Sequence, residues 1–84
     1  MAWYVYMLRC GDGSLYTGST TDVERRLREH QGGTGARYTR SRPPVTLAYA
    51  EEAPDRSAAQ RREAAIKKLP RAQKLKLIGK GERI

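Results

Sequence analysis

Tyr6, Tyr16, Arg26, His30 and Glu63 are the side chains whose types and spacing could do chemistry together. Arg26 and His30 stand one helical turn apart and can share a helix face. Glu63 is the one acid between Arg56 and Gly81, in a stretch otherwise dominated by Lys and Arg. A hard divalent cation needs oxygen ligands and can take a single carboxylate, with water and phosphate oxygens completing its octahedron. A guanidinium can meet the charge that grows on a phosphate as it reacts. The set therefore suits hydrolysis of a phosphodiester. A lone candidate carboxylate gives poor support to a two-metal clamp. Other chemistry is weaker still: one His and one Cys cannot build a structural zinc site, and no Ser-His-Asp spacing stands out. Taken singly, His30 reads as a partly buried residue at a helix end, and Glu63 as an i,i+4 partner of Lys67 worth about 0.2 to 0.5 kcal/mol.

Elements that could bring these residues together follow from local pattern. Ala2 to Arg9 is rich in aromatic and β-branched residues at both parities, as in a strand buried on both faces. Cys10-Gly11-Asp12-Gly13-Ser14 reads as a hairpin loop and Leu15 to Ser19 as the returning strand. A two-residue turn would set Tyr6 and Tyr16 on opposite faces. A three-residue loop with Gly13 left-handed pairs Tyr6 with Gly18 and Leu8 with Tyr16, and both phenols then share a face. The second register is expected, because Gly18 leaves a hollow opposite the Tyr6 ring. Thr21 and Glu24 form a capping box, Gly32-Gly33 closes the helix, and Val23, Arg26, Leu27 and His30 share its inward face, with Arg25, Arg28 and Glu29 outward. Residues 32–44 carry too many glycines and prolines for a regular element and read as a basic loop. Val45 to Ala50 alternates as a third strand. Asp55 can cap a helix with the stripe Ala58, Ala59, Ala65, Ile66 and Leu69, with Glu63 at its margin. Pro70 opens a last short helix with Ala72, Leu75 and Ile78 inward and Gly79 as its stop. The expected fold is α+β, a small three-stranded antiparallel sheet flanked by three helices, in one domain spanning 1–84.

The 84 residues allow one small domain, 31% of them charged and 38% hydrophobic, with a net charge of +8. Residues 1–55 hold as many acids as bases, so the whole excess lies in 56–84. Clustered positive charge favours a polyanionic partner. Arg37, Tyr38, Arg40 and Arg42, with Lys67 and Lys68, are the expected backbone contacts, which position a nucleic acid without reading bases. No run approaches a membrane span, and no basic segment precedes the N-terminal apolar run as in a secretory signal. The lone Cys10 permits no internal disulfide. A cytoplasmic, reducing setting is expected, with association to the nucleoid compatible.

Along residues 2–80 the chain resembles a GIY-YIG nuclease domain of the short stand-alone bacterial type. The first motif is Tyr4-Val5-Tyr6 and the second Tyr16-Thr17-Gly18, followed by Arg25-Arg26, His30, and Glu63 with Ile66-Lys67. The resemblance implies metal-dependent hydrolysis of DNA, directed by structure rather than sequence, in repair or processing. It implies one Mg²⁺ or Mn²⁺ on Glu63, Tyr6 or His30 activating water, Tyr16 positioning it, and Arg26 stabilising the transition state. Ser19 stands where some branches carry a lysine, which leaves less fixed charge there. Larger members carry a separate specificity domain, so a recruiting protein partner is compatible with this short chain. The alternative function is a non-catalytic DNA- or RNA-binding module on the same fold, which the basic C-terminal third and Tyr38 among arginines would serve.

Overall fold

A computed structural model describes residues 2–81. Three strands, β1 (Trp3–Arg9), β2 (Leu15–Thr20) and β3 (Thr46–Ala53), form an antiparallel sheet in the order β2-β1-β3. Helices α1 (Val23–Gln31), α2 (Arg37–Arg40), α3 (Arg56–Lys67) and α4 (Arg71–Gly81) flank it. The central strand is buried on both sides, as its unbroken apolar run requires. Its odd residues Val5 and Met7 pack with Tyr49, Ala53, Ala59 and Ile66, beneath α3 and α4. Its even residues Tyr6 and Leu8 pack with Val45, Tyr16, Leu27 and Ala50, beneath α1.

The hairpin has the expected register, Tyr6 opposite Gly18 and Leu8 opposite Tyr16. Gly13 has φ +85°, a conformation that costs a residue with Cβ far more than glycine. Asp12 accepts from Ser14 N at 3.0 Å, which closes the loop.

Five expectations are corrected. Asp22, not Thr21, caps α1: its carboxylate accepts from Arg25 N at 3.0 Å, while Thr20 Oγ1 accepts from Asp22 N at 3.1 Å and starts the helix one residue later. The basic loop contains a helical turn, α2, so four helices flank the sheet rather than three. The third strand runs on through Glu51 and Glu52 to Ala53, and its alternation is broken. Met7 pairs with Tyr49 but Leu8 with Leu47, so Ala48 is an extra residue, a bulge. Val45 thereby packs with Tyr6 and Leu8 on one face and Tyr49 with Val5 and Met7 on the other. On α3 Ala59 and Ile66 are buried and Ala58 packs beside them, but Ala65 is exposed, while Glu63 is half-buried at the margin of the stripe and faces β2. On α4, Leu77 and Ile78 pack against the core while Ala72 and Leu75 are exposed, and the helix passes Gly79 to Gly81. Pro70 O accepts from Gln73 and Lys74 N, and the helix so started turns its 77–78 stripe to the sheet. Asp55 caps α3 as expected, accepting from Ala58 N at 2.8 Å.

Candidate active site

Five elements bring the expected chemistry to the β2 edge of the sheet. Tyr6 projects from β1 on the α1 side, and its ring fills the hollow above Gly18. A Cβ there would lie 2.5 Å from Tyr6 Oη and 2.7 Å from Cζ. Tyr6 Oη meets His30 Nε2 at 2.9 Å, and His30 Nδ1 meets Thr39 Oγ1 at 2.7 Å. Tyr6 is 2% exposed and His30 1%, so their polar atoms must find partners within the fold, and they do. Tyr16 lies beside both rings, 6.5 Å from Tyr6 and 5.1 Å from His30 between centroids. The row continues outward to Tyr38, 5.9 Å from Tyr16, whose ring carries the Arg42 guanidinium at 4.0 Å.

Arg26 is on the inward side of α1, as its position in the helix predicts. A guanidinium near a core needs an anion, and Glu29 supplies it: Nη1 donates to Oε1 at 2.9 Å, and Nη2 donates to Gly35 O at 3.4 Å. Glu29 is thus corrected from an outward residue to the partner of Arg26. Burial pushes the Tyr6 hydroxyl from 10.0 up to about 12, and the nearby Arg26 pulls against that rise. Burial first, and then the Arg26 charge, hold His30 below its ordinary 6.5. His30 is therefore neutral at pH 7 and able to take a proton.

Glu63 reaches β2 from the opposite side. Ser19 pairs with Val5 and so faces α3, where its Oγ donates to Glu63 Oε1 at 2.8 Å. Lys67 Nζ sits 2.9 Å from Glu63 Oε2. Gly18 and Ser19 are consecutive, so the phenol and the carboxylate approach one strand edge from its two sides, and the Glu63 charge contributes to the raised Tyr6 hydroxyl. Among the described residues no group of three or more His, Cys, Asp and Glu side chains is placed to hold a metal ion. Glu63 alone fits a hard divalent cation that fills its other positions with water and phosphate oxygens. The Lys67 ammonium against Oε2 marks that oxygen as a place where positive charge is held.

The expected nucleic-acid contacts divide into two groups. Arg37, Tyr38, Arg40 and Lys68 are exposed. Arg42 and Lys67 have partners within the fold: Arg42 donates to Asp12 Oδ2 at 3.0 Å and Tyr38 O at 2.9 Å, and Lys67 is bound to Glu63, which raises its pKa. Lys67 also supplies fixed charge beside Ser19, where the sequence suggested a deficit. Three participants are missing from the sequence-derived set. Thr39 and Gly35 hold the His30 ring, and Ser19 holds Glu63. The spacing His30 to Thr39 carries no periodic signal, and only the tertiary fold joins them. No helix among the described residues is long and apolar enough to cross a membrane.

The GIY-YIG catalytic domain family matches residues 2–76. A UPF0213 protein of Streptococcus sanguinis is 60% identical over 75 residues, covering 89% of this chain and 86% of the relative. A UPF0213 protein of Halobacterium salinarum is 56% identical over 71 residues, covering 84% and 92%. The solution structure of a UPF0213 protein of Bacillus halodurans superposes with TM-score 0.60 at 47% identity, covering 94% of this chain and 84% of that one. That of a protein of E. faecalis gives 0.60 at 52% identity, covering 88% and 79%. Matched by that family over residues 2–76 and by these relatives over most of its length, this chain belongs to the GIY-YIG nuclease family, alongside its UPF0213 members.

Proposed function

We propose that the protein is a Mg²⁺-dependent endonuclease that hydrolyses DNA phosphodiester bonds, guided by nucleic-acid structure rather than sequence, in repair or processing. One observation carries this reading: a buried Tyr6–His30 pair, Arg26 beside it and the lone carboxylate Glu63 converge on two consecutive residues of one strand edge. In this reading Tyr6 Oη takes the proton of the attacking water, with His30, bonded to it at 2.9 Å, behind it as the proton store. Arg26 holds charge ready for the phosphate oxygens as the transition state forms. Glu63 would hold Mg²⁺ or Mn²⁺, which when bound polarises a phosphoryl oxygen. Arg37, Tyr38, Arg40 and Lys68 follow the flanking backbone, and the basic α3–α4 region adds affinity that falls with salt. RNA offers the same phosphate chemistry and serves as a comparison substrate, and a recruiting protein would supply any sequence choice.

A second reading, nucleic-acid binding without chemistry, is favoured by one fact: both Glu63 oxygens already have partners in Ser19 and Lys67. The test is cleavage of branched, flapped and linear DNA with and without Mg²⁺ by the wild type, Arg26→Ala and Glu63→Ala. Cleavage that needs Mg²⁺ and is lost in both variants supports the nuclease. Equal cutting by all three overturns the assigned site, and binding with no cutting by any of them supports the second reading.

A further inference from the structure

The Nδ1 side of the His30 ring is held by a residue outside the motifs. Thr39, 1% exposed and the one buried residue of α2, has two partners at Oγ1: His30 Nδ1 at 2.7 Å and Ala36 O at 3.1 Å. A threonine hydroxyl carries one proton, and a carbonyl oxygen can only accept. With that proton directed at Ala36 O, which also accepts from Arg40 N at 3.0 Å, Oγ1 is left to accept from the ring. In that arrangement Nδ1 brings the proton to this contact. A neutral imidazole has only one, so Nε2 is bare, and at 2.9 Å it accepts from the Tyr6 hydroxyl. Gly35 permits the arrangement, since a Cβ there would lie 2.5 Å from His30 Nδ1.

We infer that Thr39 is a positioning residue that fixes His30 as the Nδ1–H tautomer and thereby makes Tyr6 the proton donor of the pair. The consequence for cleavage rests on the nuclease reading above. Water gives a proton to Tyr6 Oη as its oxygen bonds to phosphorus, and Tyr6 passes its own hydroxyl proton to His30 Nε2. The bond from phosphorus to the leaving oxygen breaks, with the electron pair on that oxygen, which is protonated from solvent. The imidazolium keeps its Nδ1–H on Thr39 and returns the Nε2 proton to solvent through Tyr6 when the product leaves. The other tautomer would point Nε2–H at Tyr6 and leave the phenol no acceptor there.

The chain contains a single histidine, so ¹⁵N-histidine labelling reports on this ring alone. Long-range ¹H–¹⁵N correlation spectra of the folded protein at pH 8 are expected to show Nδ1 protonated and Nε2 bare. Thr39→Val removes the acceptor and is expected to shift the population to Nε2–H and cut kcat by about 100-fold, within the range of a general base, with KM little changed. Thr39→Ser is expected to restore both. A wild-type ring protonated on Nε2 overturns the inference even if Thr39→Val fails to fold, and so does a folded Thr39→Val that keeps Nδ1–H. If the wild type shows Nδ1–H but cuts no nucleic acid, the nuclease reading fails while the role of Thr39 in setting the tautomer stands.

Discussion

Gly18→Ala tests the geometry of the site without any assumption about catalysis. The new Cβ would stand 2.5 Å from Tyr6 Oη and 2.7 Å from Cζ, against an ordinary contact of at least 3.4 Å, so the phenol must move by about 0.9 Å. Behind the phenol lies His30, itself 1% exposed, so the ring has no room to retreat without breaking the 2.9 Å bond to Nε2. Overpacking of this kind costs about 1 to 3 kcal/mol, and a buried hydrogen bond broken with both partners left unsatisfied costs about 1 to 3 more. The lower entropy of an unfolded alanine returns about 0.4 to 1 kcal/mol. The net loss is about 1 to 5 kcal/mol, a large part of the roughly 4 to 12 kcal/mol expected for a domain of this size. Urea unfolding should show a lower midpoint at unchanged slope, and thermal melting a fall of about 5 to 40 °C. Gly79→Ala is the control, because a Cβ there meets nothing within 4 Å. In a helix it should be neutral or stabilise by up to about 1 kcal/mol. A Gly18→Ala protein within about 0.5 kcal/mol of wild type would refute the hollow and the Tyr6 placement with it.

Glu63→Gln is expected to abolish Mg²⁺-dependent cleavage while DNA affinity, measured by fluorescence anisotropy, stays level or rises slightly because a negative charge is removed; retained cleavage would remove Glu63 from the metal role. At alkaline pH, Tyr6 and Tyr49 are both pushed from 10.0 up to about 12, by burial first and, for Tyr49, by the neighbouring Glu51. A raised pKa in the fold gives stability that is complete below pH 10 and drains as pH rises toward 12. Tyr6→Phe and Tyr49→Phe should each flatten the fall in urea midpoint over that window. His30 behaves in the opposite sense, since its folded pKa is depressed below 6.5. Stability from the neutral ring is present above pH 6.5 and is lost as pH falls, and His30→Gln should weaken that dependence in the same measurement. Gly35→Ala, with its Cβ 2.5 Å from Nδ1, should displace the ring and lower cleavage by the order of 10-fold or more, a general-base effect, with an unchanged response to added Mg²⁺.

Much of this arrangement could be read in the residues, because part of it is set by local rules. Glycine at positions 13 and 18 sets the hairpin register that gathers Tyr6 and Tyr16. Helical spacing alone places Arg26 and His30 on one face. The Ala48 bulge was not legible, since Val45, Leu47 and Tyr49 alternate in sequence as a regular strand would, and only packing on two different faces shows the extra residue. Nor was α2: glycines and prolines surround it, and its buried Thr39, bonded locally to Ala36 O, meets His30 of α1 only through the tertiary fold. Leu75, Leu77 and Ile78 offered two apolar stripes of similar merit, and contact with the sheet selected the 77–78 one. In each case a tertiary contact outweighed a pattern that local propensity left undecided.

The two-sided approach to β2 also bears on synthesis. A ribosome makes the chain from its N-terminus, so Tyr6, Tyr16, Arg26, His30 and Thr39 are all synthesised before Glu63. Without α3 in place, the hairpin and α1 would carry the phenol and imidazole with no carboxylate to complete them. On the proposed reading the unfinished protein cannot cut. On that reading, docking of α3 against β2 is the folding step that completes the site, because it alone brings Glu63 to Ser19.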